Sequence, residues 1–485
     1  MTREITVLPP LVIVVPLLTA VLLLVGPPRR VSRTLGLAAV LISLAVATSL
    51  VAVTRGGQVL VAQAGGWAAP YGISLVADAL AALMVLIASL IALVGLLFTI
   101  AAGRDDCFVA SGWQFLLAGI NWAFITGDLF NLFVSYEVML IASYFLLTHG
   151  TTRRQAREAF IYVAINLVAS TFFLFAVALI YSATGTLNMA HLVERVPLAP
   201  AGPVRAGAAL LLAAFGIKAG VFPLYFWLPH AYAIPPGGIA AFFGGMLTKV
   251  GVYSLFRVFT IVFPSEGPNV VLLWSAAGTM LFGVLGALAQ EEIRRILSFH
   301  IISQVGYMIM GLALASQLGI AGGIFYVLHH IVVKSGLLLV GGAIEETQGS
   351  GRLDRLGGLA RTNGPLALVF IICALSLAGV PPFSGFFAKL LLIHAGLAVG
   401  QRAVVAVSIL VSLLTLMSML KIYATAFWGP GTPPRAPARL VVPAAVLAAI
   451  TLAVGLQPQV LYSLTSAAAG HLVAPAAYVS AVLGR

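Results

Sequence analysis

The 485 residues are 61% hydrophobic and 8% charged, with a mean hydropathy of +1.09 and a formal net charge of +12. Soluble globular chains carry about 25% charged residues, so the composition excludes a soluble enzyme and reads as an all-α polytopic membrane protein. The positive charge forms no basic run and no aromatic-interleaved patch, so no nucleic-acid partner is expected.

A span needs about 20 apolar residues, and the chain divides into about fourteen such stretches. In chain order they lie near 5–26, 34–54, 73–101, 109–126, 129–148, 158–183 and 206–233, then near 236–262, 269–289, 297–315, 319–345, 366–398, 403–428 and 440–457. The stretch from Glu4 to Val25 is long enough to span, so it reads as a first helix and not as a cleaved leader. The last stretch, 457–485, carries His471 and Pro475 and is too polar at both ends to assign as a span. An amphipathic surface segment is the open alternative there.

Loop arginines set the orientation. With the N-terminus outside, the inner loops hold Arg29, Arg30, Arg33, Arg104, Arg153, Arg154, Arg157, Arg294, Arg295, Arg352, Arg355, Arg361, Arg435 and Arg439. The outer segments hold only Arg3, Arg55, Arg195, Arg205, Arg402 and Arg485. Fourteen inner against six outer arginines predict both ends on the outer side.

The lysines behave differently. All five (Lys218, Lys249, Lys334, Lys389 and Lys421) fall in apolar stretches, whereas the arginines, Arg257 excepted, lie in loops and tails. Arginine stays charged in any surroundings, but lysine releases its proton readily when buried. A high-GC coding bias accounts for arginine in the loops but not for lysine inside.

Within Leu211–His230, LLAAFGIKAGVFPLYFWLPH, Lys218 sits in an unbroken apolar run with Pro223 five residues on. Proline lacks an N–H, so the carbonyl of Ala219 is expected to lose its helical partner. A helix broken inside a membrane is tolerated where it lines a wet cavity or is buried in protein. An ionisable group beside the break is a functional-site candidate. The competing reading is a structural lysine that snorkels to the headgroups; the long apolar flanks on both sides disfavour it. AGVFP (Ala219–Pro223) recurs as AGVPP (Ala378–Pro382), again on a span with a lysine, Lys389. Two interrupted helices in corresponding places suggest a transporter built from repeated bundles. The correspondence covers the break only, because Lys218 precedes its proline and Lys389 follows.

Glu137, in NLFVSYEVMLIASY, is the only acid deep in a span, and Asp78 and Asp128 lie near span ends. A buried carboxylate calls for a partner, and Lys218 is the first choice. The pair is read either as a fastener between two helices or as a switch that holds and releases the lysine proton. Lys249 and Lys334 follow, with His330 one turn from Lys334 on the same helix face. A histidine can both give and take a proton near neutral pH, which makes His330 a relay member between lysines. His329, on another face, reads as a hydrogen-bonded core residue. Lys389 ends the line, and Lys421, beside Tyr423 and Trp428, reads as an interfacial anchor. No P-loop, GxGxxG, HExxH or CxxC is present, and Cys107 and Cys373 match no metal or redox spacing. The expected cofactors and metals are none, so energy comes from an ion gradient or a partner subunit.

TGDLFNLFVSYEVMLIASY (Thr126–Tyr144), TGTLNMA (Thr184–Ala190), GIKAGVFPLYFWLPHAYA (Gly216–Ala233) and HHIVVKSGLLLVGGAI (His329–Ile344) resemble the antiporter-like membrane subunits of respiratory complex I. The chain is most similar to the D-type subunits of the Mrp multisubunit Na⁺/H⁺ antiporters, from the first span to about residue 430. The resemblance implies two inverted five-helix repeats, spans 4–8 and 9–13, each with one broken helix. The segments would be 1–103 (spans 1–3), 104–262 (first repeat), 263–428 (second repeat) and 429–485 (last helix and tail). It also implies a proton path through Glu137, Lys218, Lys249, His330, Lys334 and Lys389. Partners would be the other Mrp subunit types (A, B, C, E, F and G), protons, monovalent cations and the lipid bilayer of a bacterial cell membrane.

One departure from the pattern is that Ser408–Trp428 has no glutamate, although the thirteenth span of relatives from complex I can carry one. The expected function is the proton-translocating membrane subunit of a cation/proton antiporter, not an enzyme. The alternatives are a proton-pumping subunit of a redox complex, such as complex I or a membrane-bound hydrogenase, and a structural scaffold whose buried charges only join helices.

Overall fold

The computed structural model describes residues 6–150, 152–264, 267 and 269–485, apart from the side chain of Arg154. Arg3, Glu4 and the side chain of Arg154, which entered the sequence expectations, lie outside the described residues. Helices occupy most of the chain: α1 (Leu8–Leu24), α2 (Arg29–Thr54), α3 (Ala79–Ala101), α4 (Cys107–Ile125), α5 (Leu129–Thr148), α6 (Arg153–Thr184), α7 (Met189–Arg195), α8 (Ala201–Ala219), α9 (Gly237–Arg257), α10 (Val270–Leu288), α11 (Ile293–Ala313), α12 (Gln317–Gln348), α13 (Gly364–Ala378), α14 (Ser384–Ala398), α15 (Arg402–Ile422), α16 (Ala438–Leu456), α17 (Pro458–Val473) and α18 (Ala476–Leu483). One small antiparallel hairpin, β1 (Leu60–Gln63) with β2 (Ser74–Ala77), interrupts this pattern, with Leu60 opposite Ala77.

Twelve described helices are long and apolar enough to cross a membrane, against about fourteen expected spans. The shortfall lies at 5–26, where α1 has 17 residues, and at 366–398, which splits into two halves of 15 residues each. The expected span at 73–101 begins later, because 74–77 is strand and Asp78 caps α3 by accepting from the Ala81 N–H. Asp106 and Asp128 cap α4 and α5 in the same way. The acids near span ends are therefore helix caps, each worth about 1 kcal/mol. The final stretch is not a free surface segment. It forms α17 and α18, bent by 71° at the break between them, and α17 packs on α12 and α3.

The core is built around α9 and α12, which are buried along their apolar windows. They pack on each other, α9 also on α3 and α8, and α12 also on α11, α13, α14 and α16. Glycine permits the closest approach: a Cβ on Gly237 would lie 2.7 Å from the Cα of Gly342. The expected inner loops gather on one face around a cavity of about 1130 Å³, lined by Arg29, Arg104, His149, Arg294, Glu345 and Glu346 among others. Ion pairs link these loops: Arg104 to Glu346 at 2.6 Å, Arg294 to Glu345 at 2.5 Å, and Arg29 and Arg33 both to Asp105.

Candidate functional site

The break after Lys218 is set one step earlier than the proline suggests. Helix α8 ends at Ala219 because Gly220 adopts the left-handed conformation (φ 75°, ψ 41°). The Val221 N–H then bonds the Gly216 carbonyl at 2.9 Å and the Gly220 N–H bonds that of Ile217, which is a Schellman termination. Pro223 comes after the helix has already ended. The rest of the expected span 206–233 is irregular apart from one turn, Leu228–Ala231. Its freed backbone groups find partners: Trp227 Nε1 donates to the Ile217 carbonyl at 3.0 Å, and the Phe222 N–H donates to Thr279 Oγ1 at 2.8 Å.

The second break repeats this ending. Gly379 is left-handed (φ 88°, ψ 37°), and the Val380 N–H bonds the Leu375 carbonyl at 3.0 Å. Here, however, a full second half, α14, follows.

Lys218 is 3% exposed and sits in the last turn of α8. Among the described residues it makes no direct ion pair with Glu137. Ser170 on α6 stands between them instead, its hydroxyl donating to Glu137 Oε1 at 2.5 Å and accepting from Lys218 Nζ at 3.2 Å. Lys218 Nζ also lies 4.8 Å from the centre of the Tyr136 ring, and the Tyr136 hydroxyl is 3.0 Å from Ser254 Oγ. Glu137 is half-buried.

Lys249 on α9 is fully buried and donates to the Gly244 carbonyl at 2.7 Å. Lys334 on α12 is fully buried too, and among the described residues its ammonium and both ring nitrogens of His330 make no hydrogen bond to another protein group. Lys249 and Lys334 are electrostatic neighbours, and His330 lies within range of both. Helix α9 crosses α8 with Gly251 against the backbone of Lys218 and Ala219, where a Cβ would meet the Ala219 nitrogen at 2.6 Å. The crossing brings the Lys249 turn of α9 against the end of α8 that carries Lys218, but no hydrogen bond joins the two lysines among the described residues.

Lys389 on α14 turns back to the end of α13, donating to the carbonyls of Ala378 at 2.8 Å and Leu377 at 3.2 Å. Its ammonium lies 4.9 Å from the centre of the Tyr307 ring, and Tyr307 Oη lies 2.9 Å from Ser412 Oγ and bonds the Ser408 carbonyl. Although one lysine precedes its proline and the other follows, Lys218 sits in the last turn of α8, the Lys389 ammonium rests on the last turn of α13, and each ammonium lies over a tyrosine ring.

His329 bonds Ser384 through Nδ1 at 2.7 Å. Lys421 donates to the carbonyls of Gln290 at 2.8 Å and Leu288 at 3.2 Å, so it closes the end of α10 as well as lying beside an aromatic cluster.

Sequence reasoning missed three features. Ser170 carries no pattern that distinguishes it from other serines in spans. His300 on α11 is fully buried, bonds Ser418 Oγ at 2.9 Å, and is an electrostatic neighbour of Lys334 and Lys389. Its spacing to Gln304 and Tyr307, one and two turns on, was a legible signal. Arg257, which the sequence places inside an apolar stretch, forms a buried two-point pair with Asp78, flanked by Tyr253 and Tyr478. A buried arginine demands an acid, and Asp78 was available.

Residues 126–415 match the family described as NADH:quinone oxidoreductase/Mrp antiporter, transmembrane. The chain is 47% identical over 436 residues, 88% of each chain, to the D-type Na(+)/H(+) antiporter subunit of Alkalihalophilus pseudofirmus. It is 40% identical over 485 residues, 97% of this chain and 98% of the other, to the protein of the same name from Bacillus subtilis. Among solved structures, a chain of the Mrp complex from a Dietzia species superposes with a TM-score of 0.94 at 38% identity, covering 99% of this chain and 100% of that one.

Proposed function

The chain belongs to the NADH:quinone oxidoreductase/Mrp antiporter family of membrane subunits, and from that premise we propose that it is the proton-translocating subunit of a hetero-oligomeric Na⁺/H⁺ antiporter. It works in a bacterial cell membrane beside the other Mrp subunit types and is a transporter subunit, not an enzyme. Residues 104–262 and 263–428 form two inverted repeats, flanked by 1–103 and 429–485; the matching Schellman ends at Gly220 and Gly379 support this reading.

The observation that carries the mechanism is an acid and a lysine on separate spans, joined through one hydroxyl at a helix break. Protons move along Glu137, Lys218, Lys249, His330, Lys334 and Lys389. While Glu137 and Lys218 stay coupled, the carboxylate stabilises the ammonium. Separation leaves the ammonium in a poorly solvated site, where the charged form is disfavoured and the proton moves on. His330 suits the middle of the path because an imidazole without a fixed hydrogen-bond partner can accept on one nitrogen and donate from the other. Lys389 ends the path on carbonyls carrying the negative end of the α13 dipole, which offsets its charge without a glutamate on α15.

The test is Na⁺-induced dissipation of ΔpH in inverted vesicles from an antiporter-deficient bacterium expressing the whole complex. Glu137→Ala and Lys218→Ala are each expected to abolish exchange with the complex assembled. Retained exchange in both variants would end the proposal.

A further inference from the structure

We propose that Ser170 is itself a proton-carrying link between Lys218 and Glu137, an inference that rests on the proton path proposed above. An ammonium can only donate and a carboxylate can only accept, whereas a hydroxyl does both. The two hydrogen bonds therefore run one way, from Lys218 Nζ to Ser170 Oγ and from Ser170 Oγ to Glu137 Oε1, at 3.2 and 2.5 Å.

The neighbouring residue shows what an idle hydroxyl does on this helix. Thr171 turns its hydroxyl back to the Leu167 carbonyl at 3.0 Å, the usual habit of serine and threonine inside helices. Ser170 directs its hydroxyl off the helix to a carboxylate on α5. It is 7% exposed and is flanked by the buried Ala169 and Phe173, so its two polar partners are the acid and the lysine.

The step balances without any co-reactant. One N–H bond of the Lys218 ammonium breaks and an O–H bond forms on Ser170. The original Ser170 O–H bond breaks as a new O–H bond forms on Glu137 Oε1. Lysine ends as a neutral amine, glutamate as a neutral acid and serine as a hydroxyl, and the trio carries no net charge before or after. Run in reverse, the same two bonds carry a proton from a protonated Glu137 through Ser170 to a neutral Lys218, which is the order of the proposed path. The geometry thus lets the pair exchange a proton across a gap that its own side chains do not close.

The experiment measures Na⁺-induced exchange in inverted vesicles carrying the whole complex with Ser170→Ala, Ser170→Thr or Ser170→Cys, normalised to assembled complex. Ser170→Ala is expected to lower the maximal rate about tenfold or more and to change its pH profile. The Na⁺ concentration for half-maximal exchange should not move, because the serine handles protons and not the cation. Ser170→Thr, which keeps the hydroxyl, is expected to restore the rate.

If Ser170→Ala does not assemble, Ser170→Cys decides, since a thiol of similar size is a poor donor; a reduced rate supports the link and the parental rate overturns it. Parental exchange in Ser170→Ala while Glu137→Ala is inactive overturns the link and leaves the path standing. Parental exchange in Glu137→Ala and Lys218→Ala overturns the path itself.

Discussion

The two helix breaks end alike but hold their lysines differently. At the first, Lys218 is coupled through Ser170 to a carboxylate on another span. At the second, Lys389 rests on the carbonyls of Leu377 and Ala378, the last turn of α13. The first counter-charge is a whole ionisable group that can be separated from the lysine or neutralised. The second is the fixed partial charge of a helix terminus, about half an elementary charge, and it cannot be protonated. The difference teaches that a buried lysine can be kept without an acid partner among the described residues, and that the partner at the first break is a group that can itself be protonated. On the proposed path, the missing glutamate on α15 is a difference in control between the two breaks and not a gap.

The largest expected effect that sharpens this contrast is Glu137→Gln. Loss of the titratable acid should lower exchange on the order of a hundredfold, the scale of a lost proton-transfer group, with assembly intact. Among the described residues Lys389 pairs with carbonyls and with no carboxylate, so the second break offers no matching substitution.

The tight pair Arg257–Asp78 supplies the opposite case, a buried charge pair held in two-point contact and bounded by Tyr253 and Tyr478. Asp78→Asn leaves the guanidinium uncompensated and is expected to cost about 3–5 kcal/mol. The measurement is the apparent melting temperature of the solubilised complex, and the loss should appear there while exchange per assembled complex changes little. A double variant, Asp78→Leu with Arg257→Met, has both charges gone and should recover part of the stability.

The glycines at the breaks separate the two halves again. A Cβ on Gly379 would lie 2.7 Å from Lys389 Cδ, whereas on Gly220 it would meet Leu228 Cδ1 at 3.0 Å. Both substitutions strain a left-handed residue by about 1–2 kcal/mol. Gly379→Ala should also displace the Lys389 ammonium from its carbonyls and slow exchange several-fold more than Gly220→Ala, read as rate per assembled complex.

The smallest effect lies outside the membrane. Asp105 is partly desolvated, but the guanidinium groups of Arg33 and Arg29 outweigh this and hold its carboxyl below the ordinary value of 3.8. The folded form thus binds its proton less readily than the unfolded form. The stabilisation is complete above about 3.8 and is lost as pH falls through the lower folded value. The melting-temperature difference between the parent and Asp105→Asn should be modest near neutral pH and should vanish in strong acid.

Much of this was legible in the sequence. Span positions followed from apolar length, and the arginine-rich loops do gather on one face. Glu137, Lys218, Lys249, His330, Lys334 and Lys389 stood out because ionisable groups are rare in such stretches. What stayed hidden depends on contacts between spans. The sequence shows Pro223 clearly but not that Gly220 has already ended the helix. Ser170 acquires meaning only when α5, α6 and α8 meet. The sequence places Lys389 after its proline, and its reach back to α13 is a property of the folded chain. The hairpin at 60–77 and the docking of α17 on α12 were likewise set by tertiary contacts that short-range pattern does not encode.

The most direct measurement is Na⁺-induced exchange in inverted vesicles carrying the assembled complex with Lys218→Arg. Arginine keeps the positive charge at the break but cannot release its proton. The proposed path predicts an assembled complex that does not exchange. Exchange at the parental rate would mean that this position needs charge and not a mobile proton, and it would contradict proton transfer through Lys218.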